Sequence, residues 1–284
     1  MKKLLLLLLF IHVLLLNVYC ATPQYTRNDS LKIMKLLRDA KHQDNKTNMM
    51  IYFARQLCGV PYVAKTLEKN KEENLIINLR QLDCTTYVEN VLALVLCNRN
   101  GRTSFPDFCR YIRLIRYRNG NVSYTSRLHY FSEWIADNTS MGYVMEKQFP
   151  NPPFTKVQKL GIDYMSTHSN LYPMLVGNPL RIKQIIDVEN KLNGHEYRYI
   201  PKLEIANNEL FRQTIKDGDI IAITTCTKGL DTSHIGIAVW HKDGLHMLNA
   251  SSVRHKVVEE TMTLYAYMKR HPLQQGIRII KVND

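Results

Sequence analysis

The chain has 284 residues, 45% of them hydrophobic, with a formal charge of +13 and six cysteines. The length suits one enzyme-sized unit with a helical elaboration. Past the first residues no stretch is apolar enough to span a bilayer, which excludes a membrane-spanning mature protein.

Lys2 and Lys3 precede an apolar run over residues 4–16, and polar sequence begins by Thr22. This is the pattern of an export signal, too short for a membrane span. Residues 1–20 are therefore expected to be a signal peptide and residues 21–284 a single domain. Cleavage can follow Cys20, or Cys20 can be lipidated; bulky Tyr19 just before it favours simple export. Export implies the periplasm and removes nucleic acid as a partner, so the positive charge points to anionic envelope polymers or membrane surfaces. In "RYIRLIRYR", Arg110, Arg113 and Arg116 fall three apart and read as a solvated helix face.

Along the chain, Asp29 or Ser30 can cap a first helix carrying Leu31, Met34, Leu37 and Ala40. Thr47 can cap a second, with Met50, Phe53, Ala54 and Leu57 on one face, ended by Gly59 and Pro61. "LIINL" from Leu75 is strand-like. Residues 84–97 form the most apolar helix candidate, with Glu89 its only charge. Ser104 and Asp107 open another helix, and "RLHYFSEWIADN" reads as one more. After Asn151-Pro152-Pro153, residues 157–167 and 180–192 read as helices. From Tyr197 short β-branched segments alternate with turns: "DGDIIAITT", "SHIGIAVW", "LHMLNASS", "HKVVE" and "GIRIIKV". Helices first and an antiparallel sheet after give an α+β fold.

Cys84 stands where polar sequence meets that apolar helix. Asp83 can cap a helix beginning at Cys84, or Thr86 with Glu89 can form the box. Either way the thiol meets unpaired N–H groups and the positive helix end, which favour a thiolate and can hold an oxyanion. Packing alone is the plainer account of a cysteine there, as it is for Cys97 and Cys109. After the leader the cysteines number five, an odd count with no CxxC, so an exported chain keeps a thiol unpaired.

A thiol nucleophile needs a base. His234 opens the strand "SHIGIAVW", and Gly236 on the same face leaves room for a helix N-terminus to approach. "HKDG" reads as a hairpin loop. If Trp240 pairs with Leu245, His234 lies opposite Ser251, and Asn249 shares its face. A slip of one residue would instead present His246, Leu248 and Ala250. Asn249 can accept a hydrogen bond from the imidazole, completing a Cys–His–Asn group suited to acyl transfer. No His/Asp/Glu spacing supports a metal hydrolase, and no cofactor or metal is expected.

"GVPYVAKTLE", "LRQLDCTTYVENVLAL", "SRLHYFSEWIADN", "DGDIIAI", "SHIGIAVW" and "LNASS" together resemble the signature blocks of the DUF1460 family, in family order and over nearly all the mature chain. That family is a branch of the NlpC/P60 superfamily of papain-like cell-wall cysteine hydrolases. The resemblance implies a papain-like core, with a cysteine-bearing helix packed on the histidine-bearing sheet. It implies an N-acetylmuramoyl-L-alanine amidase acting on peptidoglycan fragments; a monomer is expected. It makes Cys84 the nucleophile, His234 the base and Tyr62 an aid to the oxyanion site. It gives Asp83 and Ser233 to the peptide stem, and Arg127 and Trp134 to sugar or stem, although helix packing explains Trp134 equally well. Many superfamily members carry histidine at the third catalytic position, where this chain has Asn249. A γ-D-glutamyl-diamino acid endopeptidase would use the same residues, and a wall-binding protein with a dead site would need none of them.

Overall fold

The computed structural model describes residues 22–283. The expected signal peptide and Cys20 lie outside the described residues. Helix α1 (Arg27–Ala40) is capped by Thr26, which forms a capping box with Asp29. The cap thus lies before the expected Asp29 or Ser30. Asp29 is instead buried, accepting from the Leu79 N–H at 2.9 Å and pairing with Arg80 at 3.2 Å. These bonds tie α1 to the segment that leads into Cys84. Asn48, not Thr47, caps α2 (Met49–Gln56) through the Ile51 N–H. The segment from Leu75 forms no strand; Leu75, Ile77 and Leu79 alternate into the core, and Ile76 makes a single bridge to Gln24. Alternation without a partner strand yields buried loop rather than sheet.

Helix α3 (Cys84–Arg99) begins at the cysteine, with Asp83 as N-cap and Thr86 closing the box. It is buried without a break from Thr86 to Cys97. Helix α4 (Phe105–Arg116) is capped by Ser104, as expected. Its arginine face is not wholly solvated. Arg116 is buried, donating to Glu89 Oε2 at 2.7 Å and to the Ile76 carbonyl at 2.7 Å. The reason is Glu89, a carboxylate inside the core that requires a cation beside it. Breaking the pair should be expensive. Glu89→Ala leaves a buried guanidinium uncompensated and is expected to lose about 3–5 kcal/mol. Adding Arg116→Met should recover most of that loss, which urea denaturation of the single and double variants will measure.

Helix α5 (Phe131–Ser140) starts at Phe131 rather than residue 127. The helix expected over residues 157–167 is overturned. After β1 (Val144–Glu146) comes β2 (Lys156–Lys159), and only a short α6 (Tyr164–Thr167) follows. Helix α7 (Pro179–Leu192) matches its expectation. Strand β3 (Glu196–Pro201) pairs with β2, and this distant pairing takes residues 157–159 out of the expected helix and leaves Leu160, Ile162 and Met165 beyond the strand. Those three side chains instead join a cluster under α7, with Ile185 and Val188.

The remaining elements are α8 (Glu209–Thr214), β4 (Ile220–Thr225), β5 (Thr232–Trp240), β6 (Leu245–Ser251), β7 (Lys256–Glu259), α9 (Leu264–Lys269) and β8 (Gln274–Val282). Among the described residues the strands form one sheet in the order β2-β3-β8-β4-β5-β6-β7, with β1 also paired to β8. Every pairing is antiparallel. Side chains alternate across it. Ile220, Ala222, Ile235, Ile237 and Leu248 pack with α3 in one core. Ile221, Ile223, Ala238 and Met247 pack on the other face with Leu264 and Met268 of α9. The fold is α+β, and no helix among the described residues is long and apolar enough to cross a membrane.

Candidate active site

The expected hairpin forms in the expected register. Trp240 pairs with Leu245 and Ile237 with Leu248. His234 and Asn249 consequently meet, with His234 Nε2 3.0 Å from Asn249 Oδ1. Asn249 is fully buried, and its Nδ2 donates to Glu260 Oε1 at 3.4 Å. A carboxylate only accepts, so Glu260 turns the amide nitrogen toward itself and Oδ1 toward the histidine. Asn249 Oδ1 therefore accepts from Nε2–H, leaving the lone pair on His234 Nδ1.

Cys84 and His234 line one cleft, along with Thr85, Ser233, Ile235, Phe131 and Tyr172. The cleft encloses about 210 Å³. A larger concavity, about 540 Å³, opens beside Asn48, Lys147 and Asp219, but neither cysteine nor histidine lines it. Chemistry, not size, marks the smaller one.

The thiol's environment corrects the thiolate expectation. Burial, with the charge of Asp83 adding to it, pushes the Cys84 thiol up to about 11. The Ile235 N–H and the Thr85 backbone and hydroxyl groups turn toward the sulfur and oppose this without overcoming it. Burial also lowers His234 below its usual 6.5, against the raising bond from Asn249. Both shifts favour the neutral forms, because desolvation outweighs the helix end. Asp83→Asn keeps a good cap and removes the nearby charge. It is expected to lower the thiol's pKa and speed alkylation of Cys84 by iodoacetamide several-fold at fixed pH, read by peptide mass analysis.

Gly236 also differs from expectation. A Cβ there would stand 2.5 Å from Met247 Cγ and 2.9 Å from the Leu248 carbonyl. The glycine makes room for the neighbouring strand's methionine, not for a helix end.

Tyr62 packs, partly buried, against the same core as Cys84. Burial and the nearness of Cys84 and Asp83 lift its phenol to about 12. Ser233 is exposed in the cleft wall. The Asp83 carboxylate is occupied by the Thr86 N–H and hydroxyl, each at 2.8 Å. Arg127 and Trp134 do not reach the cleft. Arg127 is buried between Glu68 and Glu73 and lies over the Tyr124 ring at 4.9 Å. Its guanidinium is consumed by two inner carboxylates. Trp134 is fully buried and stacks on Phe131 at 4.8 Å, so it backs a wall residue rather than touching a ligand. Glu260 escaped notice in the sequence. Its signal was a carboxylate at the end of "HKVVEE", whose strand pairs with the one carrying Asn249.

A model of the AmiA-like family, described as N-acetylmuramoyl-L-alanine amidase-like, matches residues 52–277. An N-acetylmuramoyl-L-alanine amidase structure from Bacteroides uniformis is similar at 38% identity and TM-score 0.77, over 83% of this chain and 98% of that one. A Bacteroides fragilis protein provisionally named a xylanase is similar at 42% identity and TM-score 0.75, over 81% and 99%. A Legionella pneumophila protein of the DUF1460 family shares the fold at 23% identity and TM-score 0.69, over 90% and 95%. No curated protein sequence matches the chain. Profile and solved relatives agree, and the chain belongs to the AmiA-like, N-acetylmuramoyl-L-alanine amidase-like family of hydrolases.

Proposed function

We propose that this chain is an exported cysteine amidase of the NlpC/P60 type, cutting the amide between the lactyl group of N-acetylmuramic acid and L-alanine in peptidoglycan fragments. The observation that carries the reading is the cleft shared by Cys84, at the head of α3, and His234, bonded to buried Asn249. Family membership supports the bond; the site supports the mechanism. His234 Nδ1 takes the thiol proton as Cys84 Sγ attacks the carbonyl carbon. The developing oxyanion meets N–H groups at the helix start, with Tyr62 beside them. Collapse breaks the C–N bond, and His234 returns its proton to the departing amine of L-alanine. Water, deprotonated by the same imidazole, then attacks the acyl-thioester; the C–S bond breaks, the lactyl carboxylate is freed, and His234 returns the proton to Cys84 Sγ.

Glycoside cleavage fits the cleft poorly. It calls for two carboxyl groups about 5–9 Å apart. Among the described residues lining the cleft, Asp231 is the single carboxylate, and backbone N–H groups of Ser132 and Thr232 hold its oxygens at 2.6 and 2.8 Å. The test is incubation with N-acetylmuramoyl-tripeptide and identification of fragments by mass. Free N-acetylmuramic acid with intact tripeptide is expected. N-acetylmuramoyl-L-alanyl-D-glutamate with a free diamino acid would overturn the reading in favour of an endopeptidase.

A further inference from the structure

Away from the cleft, the turn between β5 and β6 folds the sequence His241-Lys242-Asp243-Gly244-Leu245-His246 back on itself. One ligand atom from each of His241, Asp243 and His246 lies within 4.8 Å of the other two. We propose that this hairpin binds a divalent transition-metal ion of the zinc class through His241, Asp243 and His246.

The orientation of the histidines carries the argument. His246 is buried, and its Nδ1 donates to the Glu260 carbonyl at 2.9 Å. A backbone carbonyl only accepts, so Nδ1 carries a proton, and in the neutral ring the lone pair sits on Nε2. That lone pair faces Asp243 Oδ1 at 2.9 Å. A neutral ring and a carboxylate so placed call for a cation between them, either a proton or a metal ion. His241 stacks on His246 with centroids 4.1 Å apart. Its Nε2 donates to Glu259 Oε1 at 2.7 Å, and Arg55 holds the same carboxylate at 2.8 Å. In the neutral ring the Glu259 bond leaves Nδ1 of His241 with the lone pair. Both rings are thus locked by outer hydrogen bonds of the kind that orient metal-ligating histidines. The Asp243 side chain is 63% exposed, so an ion enters from solvent on that side and keeps water in its remaining positions. Two imidazoles with one carboxylate suit zinc, nickel or copper and not calcium or magnesium, which prefer oxygen alone.

The test uses the intact protein with its thiols capped by N-ethylmaleimide, so that cysteines cannot bind metal. Zn²⁺ is titrated in calorimetrically. One equivalent is expected to bind, and Asp243→Asn and His241→Gln should each weaken it by about tenfold or more. His255→Gln, in the following turn, should leave binding unchanged, and Ca²⁺ should give no heat of binding. His246→Gln also removes a core hydrogen bond, so the two outer variants carry the result. Absence of saturable Zn²⁺ binding, or binding that Asp243→Asn and His241→Gln leave unaltered, overturns the site and reduces it to an imidazolium–carboxylate pair.

Discussion

Cys84→Ala is expected to abolish hydrolysis of N-acetylmuramoyl-peptides, by about 10⁴-fold or more, while the protein stays folded. The fold is indifferent to the thiol for a local reason. The helix start is held by Asp83, whose side chain accepts from the Thr86 N–H at 2.8 Å, and alanine is the best helix former for the vacated position. The core of α3 begins two residues later, at Thr86, and is untouched. Activity has no such redundancy. Among the described cysteines Cys97 and Cys109 are buried in helices α3 and α4, and Cys58 and Cys226 lie outside the cleft lining. None can substitute. Iodoacetamide should accordingly modify Cys84 well before Cys97, whose thiol is fully buried and pushed up to about 12. The paired measurements are turnover by product mass and the midpoint of thermal unfolding. Wild-type turnover in the folded variant would remove Cys84 from the mechanism.

What the sequence made legible follows from the range of the interactions. Caps written in adjacent residues were readable in part: Asp83 and Ser104 sit where expected, whereas Thr26 and Asn48 take the places expected of Asp29 or Ser30 and of Thr47. The β5–β6 hairpin was readable because its loop is short and its register sets which side chains share a face, so Asn249 could be placed on the histidine's own face of the sheet. Long-range partners were not readable. Arg116 looks like its solvated neighbours until Glu89, on another helix, claims it. Arg127 is written in a polar stretch, yet its partners Glu68 and Glu73 come from a loop more than fifty residues earlier. Residues 157–167 carry apolar spacing for a helix, and only β3 makes part of them a strand. The balance at Cys84 was hidden for a related reason. A helix end is local and visible, whereas burial depends on everything folded around it, and burial wins.

His234→Ala is expected to be nearly as damaging as loss of the cysteine, and a graded series behind it should expose how the base is held. In the proposed mechanism the imidazole carries the proton in both half-reactions, so its removal acts on the same unit as removal of the thiol. Asn249→Ala takes away orientation only, and a loss of about 10- to 100-fold is expected. Asn249→His should retain much of the activity, since a ring nitrogen can accept the same bond. Glu260→Gln is the mildest, at several-fold, because a glutamine can still accept from Asn249 yet no longer forces the amide to face one way. The pH profile separates orientation from mere destabilisation. That mechanism needs neutral His234, so activity is expected to be lost as pH falls through the pKa of that group in the folded enzyme. Burial and the charge of His271 lower that pKa; the Asn249 bond and the Glu260 charge raise it. Asn249→Ala and Glu260→Gln each delete a raising influence. Both should therefore move the acid limb of kcat/KM to lower pH while reducing the plateau. A variant that lost activity through a loosened fold would show the lower plateau with the limb unmoved, and a limb displaced to higher pH would break the chain from Glu260 through Asn249 to His234.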